Sequence, residues 1–295
     1  MPPSDDIDAR RTAVLQSMSS SIPSSVVDST VILVRANKPV IRQLGTGTLF
    51  RVADRSFVVT AAHVLRQAQQ MDSTLGISGS NGYFIATAGQ WILSGADFPN
   101  KEDDPFDLAL YSLSDDQVRR LHRQRFLRLE EVSFLQNLSR RFFVIFGFPH
   151  IWATACDEQT ESMSLKALQF ATFDYEGDTS GLVGFNSKHH LLLDAKDEYL
   201  YDDRGGEIHF RTNYGTRARM PNDLRGVSGC SVWSIGDLRT SVHSWRQSDA
   251  KLVGIVTGVY EARGLIKATR WVAASTLLYY AFPDLRRPIE LHATT

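Results

Sequence analysis

The chain has 295 residues, 43% hydrophobic and 22% charged, an ordinary composition for a globular protein that can bury a sizeable core in one large or two modest domains. Its formal net charge of −1 gives no electrostatic reason to expect nucleic acid or an anionic membrane surface as a partner. No apolar run approaches the ~20 residues of a membrane span, and two cysteines are too few for the disulfide scaffold of a secreted protein.

Residues 1–25 predict a short N-terminal helix followed by a linker. Apolar residues recur at roughly helical spacing over residues 5–18, namely Ile7, Val14, Leu15 and Met18. The start of the chain lacks the basic segment and the apolar stretch of a secretory signal. Together with the low cysteine content, this makes the cytoplasm the expected location.

Short β-rich runs separated by turn residues fill residues 26–113, a pattern typical of a β-barrel. The runs 44–51 and 56–65 predict a hairpin, and its second strand ends in small residues directly before His63. Small side chains let another backbone approach closely, so we expect the imidazole to face a cleft at the strand end. Asp107 opens the apolar run Leu-Ala-Leu, a position in which a carboxylate is buried and available to an imidazole.

Residues 114–140 are expected to connect two β-rich halves. Ser114 and the polar residues after it predict a helix N-terminus, and apolar residues follow at helical spacing. The arginines of this stretch are assigned to a solvated face, with an anion-binding patch as the alternative: Arg119, Arg120, Arg123, Arg125 and Arg128. Residues 141–283 predict the second half, closed by an apolar helix at 271–281, and residues 284–295 are interpreted as a tail.

Ser228 lies close to two glycines, Gly226 and Gly229, after a polar turn and before an apolar run. Glycine permits a tight turn whose backbone N–H groups converge on one point. A hydroxyl nucleophile needs such donors, because the tetrahedral intermediate of acyl transfer carries an oxyanion. Serine alone is inert near neutral pH, so the hypothesis also requires a base and an orienting carboxylate. His63 and Asp107 are the candidates for those roles.

Three segments, Thr60-Ala-Ala-His63, Asp107-Leu-Ala-Leu110 and Gly226-Val-Ser-Gly229, together resemble the trypsin/chymotrypsin-like serine peptidases, over roughly residues 28–283. The resemblance implies a mainly β protein with two antiparallel six-stranded β-barrels packed face to face, an N-terminal helix and a C-terminal helix. An intracellular, bacterial member of that family is expected.

By the same resemblance, the protein is expected to be a serine endopeptidase acting on proteins or peptides without a cofactor. His63 is then the general base, Asp107 its orienting carboxylate and Ser228 the nucleophile. The N–H groups of Gly226 and Ser228 are expected to form the oxyanion hole.

The resemblance also assigns the first substrate pocket. Its floor and walls are expected from two segments: Asn222, Asp223 and Leu224, then Thr257, Gly258 and Val259. Asn222 is neutral and Asp223 is acidic, so a shift of one residue decides between a polar or apolar pocket and one that selects Lys or Arg. The sequence leaves both alternatives open.

Two residues depart from the family pattern. Val227 stands where secreted, zymogen-activated members carry an aspartate that pairs with a newly cut N-terminus, and Cys230 stands where a glycine is usual. These departures support an alternative function, a catalytically inactive protease-like binding or scaffold module. A further hypothesis is that a regulatory protein partner or a ligand orders the loop around Gly226. Cys230 is interpreted as a small buried hydrophobe, with a redox-sensitive thiol as the alternative.

No metal site is expected. His189 and His190 are adjacent, so on a strand their side chains point to opposite faces and cannot share an ion. The acidic stretch 194–203 lacks the ligand spacing of a calcium loop.

Overall fold

A computed structural model describes eleven stretches of the chain, residues 22–37, 40–69, 74–78, 84–95, 104–135, 137–138, 141–148, 167–195, 200–201, 227–237 and 244–293. Two antiparallel sheets account for most of these residues. The mainly β fold with two curled antiparallel sheets is therefore confirmed. Each sheet has seven strands within the described ranges, whereas six were expected.

The first sheet is built from the first half of the chain: β1 (Thr30–Asn37), β2 (Val40–Val52), β3 (Arg55–Ala61), β4 (Thr74–Ser78), β5 (Phe84–Ala86), β6 (Trp91–Leu93) and β7 (Leu108–Ser112). Its strand order is β5-β4-β1-β2-β3-β7-β6. The predicted hairpin is the β2–β3 pair. Six of the seven residues of β3 are buried, so both faces of the strand are covered. Val58 packs inside the first sheet, whereas Phe57 and Val59 pack against the second half of the chain.

The second sheet follows the connector: β8 (Arg141–Gly147), β9 (Leu168–Phe173), β10 (His190–Asp194), β11 (Leu200–Tyr201), β12 (Ser231–Asp237), β13 (Lys251–Tyr260) and β14 (Leu265–Arg270). Its strand order is β10-β14-β13-β12-β8-β9-β11. A 3-10 turn at Glu261–Arg263 joins β13 to β14 and ends at Gly264, whose φ of 61° suits a residue without a side chain.

The described residues also contain five α-helices, α1 (Ser25–Asp28), α2 (Ala62–Gln69), α3 (Asp115–Arg120), α4 (Trp271–Ala281) and α5 (Arg286–Ala293), and further 3-10 turns at Leu129–Glu131, Gln247–Asp249 and Pro283–Leu285. The predicted helix start at Ser114 is confirmed, since its hydroxyl and the Gln117 side chain form a capping box. None of these helices is both long and apolar enough to cross a membrane.

The helices expected near the two ends of the chain can be compared with the structure at the C-terminal end. The C-terminal helix is confirmed as α4. A second helix, α5, lies within 284–295, the stretch that was interpreted as a tail. The N-terminal helix expected at residues 5–18 lies outside the described residues.

One apolar cluster joins the two sheets to the C-terminal segment. It contains Phe50 from β2, Trp233 from β12 and Trp271 from α4, all buried. The Phe50 and Trp271 rings meet edge-on with centroids 4.7 Å apart. Farther along the C-terminal segment, the Phe282 ring lies 5.1 Å from Phe57 of β3. The segment from Trp271 to Phe282 therefore crosses back onto the first sheet.

The connector arginines make local contacts. Arg119 pairs with Asp116 at 3.2 Å, and Arg125 pairs with Glu131 at 2.9 Å. Arg120 donates to a backbone carbonyl, and Arg123 and Arg128 are exposed. These contacts favour the solvated-face interpretation. The anion-binding alternative stays a prediction. Its candidate site is a cavity of about 510 Å³ that is lined mostly by residues of the connector.

Candidate active site

The position of His63 follows from how β3 ends. The strand stops at Ala61 and α2 begins at Ala62, so the histidine stands in the first turn of a helix. In the sheet, Ala61 lies opposite Leu108 at the start of β7. Both alanines are fully buried, and the Ala62 N–H donates to the Asp107 carbonyl oxygen at 2.8 Å. The predicted small residues thus allow the close backbone approach that brings Asp107 to His63.

Asp107 binds His63 with both carboxylate oxygens. Its Oδ2 lies 2.7 Å from His63 Nδ1, and its Oδ1 accepts the His63 backbone N–H at 2.9 Å. Asp107 is 1% exposed, so no water competes freely for these bonds. Because the carboxylate accepts, Nδ1 carries the ring proton of the neutral imidazole, and Nε2 keeps its lone pair.

The turn before Asp107 is built by a second carboxylate. Asp107 has a φ of 50°, in the left-handed region that few residues other than glycine adopt. Asp104 stabilises this backbone, since its Oδ1 accepts the N–H groups of Phe106 at 3.1 Å and Asp107 at 3.0 Å. Its Oδ2 accepts the Ser94 hydroxyl at 3.0 Å.

The Arg66 guanidinium contacts both buried carboxylates and offsets part of their negative charge. It lies three residues after His63 in α2, and its Nη2 binds Asp104 Oδ2 at 2.7 Å. Its Nη1 lies 3.7 Å from Asp107 Oδ1, a charge contact without a hydrogen bond. A buried carboxylate left without a cation or donors is strongly destabilising. The guanidinium therefore supplies a positive charge next to both Asp104 and Asp107.

Ser228 approaches His63 from the second half of the chain. Its Oγ lies 2.7 Å from His63 Nε2. The turn that presents it needs glycine at 229, where φ is 88° and an added Cβ would lie 1.9 Å from the Thr46 carbonyl oxygen. Next to it, the Thr46 N–H donates to the Ser228 carbonyl oxygen at 3.1 Å. The structure thus brings together all three residues that the sequence singled out as a triad.

The other site predictions fall into two groups. Gly226, assigned to the oxyanion hole, lies outside the described residues, and so do Asn222, Asp223 and Leu224 of the expected pocket floor. The wall residues lie on β13. The Thr257 side chain is fully buried and its hydroxyl lies 3.0 Å from that of Thr269, whereas Gly258 and Val259 are partly exposed. Gly258 and Val259 are therefore the accessible residues among the three that were expected to form the wall.

Cys230 is fully buried directly behind Ser228. Burial raises the pKa of its thiol to about 12, so the group is neutral at physiological pH. Its Sγ lies 3.6 Å from Thr46 Oγ1. These features favour the interpretation as a small hydrophobe over that of a redox-sensitive thiol, because reactivity needs an exposed thiolate.

Both ring nitrogens of His190 are engaged in hydrogen bonds to the backbone. Among the described residues, no group of three or more His, Cys, Asp and Glu side chains is arranged to hold a metal ion.

Sequence reasoning missed the residues that support the triad: Thr46, Arg66, Asp104, His190 and Thr269. Two of these carry a local signal. Asp104 precedes a proline and stands three residues before Asp107, which is typical of an aspartate that caps a turn. Arg66 follows His63 at helical spacing.

Neither protein-family models nor curated proteins match this chain. Solved structures do. A structure described as that of GrC has a TM-score of 0.50 and 11% identity, covering 90% of this chain and 98% of that one. A thermostable serine protease, AL20, from an extremophilic microorganism has a TM-score of 0.49 and 10% identity, covering 87% and 98%. A Glu endopeptidase has a TM-score of 0.47 and 12% identity, covering 88% and 93%. At these identities the similarity to GrC establishes the fold, a chymotrypsin-like pair of half-barrels.

Proposed function

We propose that the protein is a serine endopeptidase that hydrolyses peptide bonds through an acyl-enzyme. The observation that carries the proposal is one continuous hydrogen-bonded line. It runs from Asp107 Oδ2 to His63 Nδ1 over 2.7 Å and from His63 Nε2 to Ser228 Oγ over another 2.7 Å. A nucleophile in contact with a base that is itself oriented by a buried carboxylate is the constellation that activates a serine.

In the first half-reaction, Ser228 Oγ attacks the carbonyl carbon of the scissile bond while its proton passes to His63 Nε2. Asp107 stabilises the imidazolium that forms. The N–H groups of Gly226 and Ser228 donate to the oxyanion. His63 then returns the proton to the leaving amine, the C–N bond breaks and an ester on Ser228 remains.

In the second half-reaction, a water molecule takes the place of the amine. His63 accepts its proton as the oxygen attacks the ester carbonyl. Collapse of the second tetrahedral intermediate breaks the bond to Ser228 Oγ, and the oxygen regains the proton from His63. The products are an amine and a carboxylic acid, and the enzyme returns to its starting state.

Substrate binding is proposed at the turn before Ser228 and along β13. Asn222, Asp223 and Leu224 form the pocket floor in this proposal, and the exposed parts of Gly258 and Val259 form its wall. Cleavage of a peptide library distinguishes the two alternatives for the floor. Preference for Lys or Arg assigns it to Asp223, and preference for neutral side chains assigns it to Asn222.

The test combines active-site labelling with peptide cleavage. We expect a fluorophosphonate to label the wild-type protein, and Ser228→Ala to abolish both labelling and turnover while the fold persists. Ser248→Ala is the control, because Ser248 is exposed in a 3-10 turn and makes no hydrogen bond to a triad residue among those described. Cleavage by Ser228→Ala at the wild-type rate contradicts the proposal.

Absence of labelling in the wild type favours the inactive binding module. The buried Val227 then matters, since it packs in the apolar core of the second sheet where an activation ion pair would otherwise stand. Activity that arises only when a second protein is added supports gating of the loop around Gly226. Full activity of the purified protein argues against gating.

A further inference from the structure

Two side chains of the second sheet hold the segment that leads into Asp107. His190 Nε2 lies 2.7 Å from the Pro105 carbonyl oxygen. The Thr269 hydroxyl donates to the next carbonyl, that of Phe106, also at 2.7 Å. His190 and Thr269 are directly opposite each other on β10 and β14, so both side chains leave the sheet on the same face. Cross-strand neighbours in one half thus bind consecutive carbonyls in the other.

His190 is fixed in the tautomer that this contact needs. Its Nδ1 accepts the Asn186 backbone N–H at 2.9 Å, so the ring proton is on Nε2 and points at the Pro105 carbonyl. The residue is 2% exposed. Burial, with a smaller contribution from the Lys267 charge, lowers the pKa of His190 to about 4. The ring is therefore neutral at physiological pH and keeps one donor and one acceptor.

The Thr269 hydroxyl is also hydrogen-bonded to the hydroxyl of Thr257 on the neighbouring strand β13. A threonine hydroxyl has one proton, and that of Thr269 goes to the Phe106 carbonyl. The 3.0 Å contact between the two hydroxyls is therefore made by the Thr257 proton. Both threonines are fully buried. The result is a directed chain of donors from β13 through β14 to the backbone just before Asp107.

These bonds complete the support of a backbone that is unfavourable by itself. A left-handed φ is unfavourable for a residue other than glycine, and Asp107 has this conformation. The Asp104 carboxylate binds the N–H groups of the turn, and His190 and Thr269 bind its carbonyls. The direction of the Asp107 carboxylate is thus set from both sides of the peptide chain.

We propose that His190 and Thr269 are positioning residues, which clamp the Pro105 and Phe106 carbonyls and so hold the Asp107 carboxylate against His63. The second sheet then sets how the Asp107 carboxylate is oriented toward an imidazole that belongs to the first half. The proposal rests on the triad roles proposed above, but the clamp also has a readout that needs no turnover.

The test uses the nearly isosteric Thr269→Val, which removes the donor to Phe106 and keeps the volume. In full-length protein labelled with ¹⁵N-histidine, we expect a lower pKa for His63 and a weakened or lost low-field signal of its Nδ1–H. In the same variant kcat falls about tenfold or more while KM changes little, since the defect is in geometry at the reacting groups. Thr269→Ser, which keeps the hydroxyl, restores most of each property.

Thr172→Val is the matched control. Thr172 is a fully buried threonine of the same sheet, and its hydroxyl donates to the carbonyl oxygen of Asp194, away from Asp107. It is expected to lose stability without moving the pKa of His63. Thr257→Val, which leaves the bond to Phe106 in place, is expected to give a smaller shift in the same direction as Thr269→Val and replaces it if that variant does not fold.

The outcomes separate the two proposals. A folded Thr269→Val protein with the wild-type pKa and Nδ1–H signal of His63 overturns the clamp, whatever the activity. If Thr269→Val changes the pKa of His63 but the wild-type protein cleaves no peptide and takes no fluorophosphonate, the clamp is supported and the endopeptidase proposal is overturned. An equal shift in Thr172→Val also overturns the clamp, because the effect is then one of general stability.

Discussion

Thr46 of the first sheet holds the segment that contains Ser228, the proposed nucleophile, because the Thr46 N–H donates to the Ser228 carbonyl oxygen at 3.1 Å. The Thr46 carbonyl oxygen accepts a hydrogen bond from the Thr60 hydroxyl at 2.7 Å, and the Thr46 hydroxyl accepts one from the Phe148 N–H at 2.9 Å. Each half of the chain therefore makes hydrogen bonds that hold a site segment of the other half. The first half positions Ser228, while His190 and Thr269 of the second half bind the segment that leads into Asp107.

This contact predicts that Gly229→Ala inactivates the protein. The new Cβ would lie 1.9 Å from the Thr46 carbonyl oxygen and 2.4 Å from Thr60 Oγ1, so the turn must move. We expect a loss of activity of about 100-fold or more, since displacement of a reacting group by about 1 Å has that effect. Fluorophosphonate labelling rates measure it.

Gly181→Ala is the control for backbone strain. Gly181 has a similar φ of 74°, but nothing lies within 4 Å of an added Cβ. It is expected to lose about 1 kcal/mol of stability and no activity. Equal labelling rates in Gly229→Ala and Gly181→Ala would contradict the role assigned to the Thr46 contact.

A second prediction concerns the packing of Gly147 against Cys230. A Cβ at 147 would lie 2.0 Å from Cys230 Sγ and 2.9 Å from Thr46 Oγ1. Gly147→Ala is therefore expected to lower the free energy of unfolding by about 1–3 kcal/mol through overpacking. Because Cys230→Ala removes the sulfur, the double variant should be more stable than the sum of the single effects predicts. Urea unfolding of the four proteins measures this coupling, and strict additivity is the contrary result.

A third prediction follows from the buried His190. Its pKa of about 4 lies below the ordinary value of 6.5, so the unfolded chain binds a proton more readily than the folded protein. Stability is then complete above pH 6.5 and decreases as the pH falls toward 4, by up to roughly 3 kcal/mol from this group. The measurement is the free energy of unfolding of wild type minus that of His190→Gln across this range.

His122→Gln serves as the comparison, because His122 is exposed. Its pH dependence should follow that of the wild type. If His190→Gln and wild type have the same slope between pH 6.5 and 4, the ring is not held neutral in the folded protein.

The proximity of His63, Asp107 and Ser228 was predictable because each of the three stands in a local pattern. His63 follows small residues at a strand end, Asp107 opens an apolar strand, and glycines surround Ser228. The clamp was not, since His190 and Pro105 are 85 residues apart and Thr269 and Phe106 are 163 apart. Only the packing of the second sheet against the turn before β7 makes such partners neighbours, and no local pattern of residues marks that packing.

Two short strands and the last helix were not predicted, for local reasons. The strands β6 and β11 have three and two residues, too few for alternation to be recognised. The stretch 284–295 was interpreted as a tail, yet α5 lies within it. Pro288 occupies the first turn of α5, where the missing N–H has no helical partner to lose.

The return of the C-terminal segment onto the first sheet bears on how the protein is synthesised. Trp271 packs on Phe50 and Phe282 packs on Phe57, and Asp284 pairs with Arg55 at 2.8 Å. A nascent chain that has not yet emerged beyond residue 285 lacks the lid over these early strands. The first sheet therefore acquires this cover only after residues 271–284 have been synthesised, later than all three residues of the proposed triad.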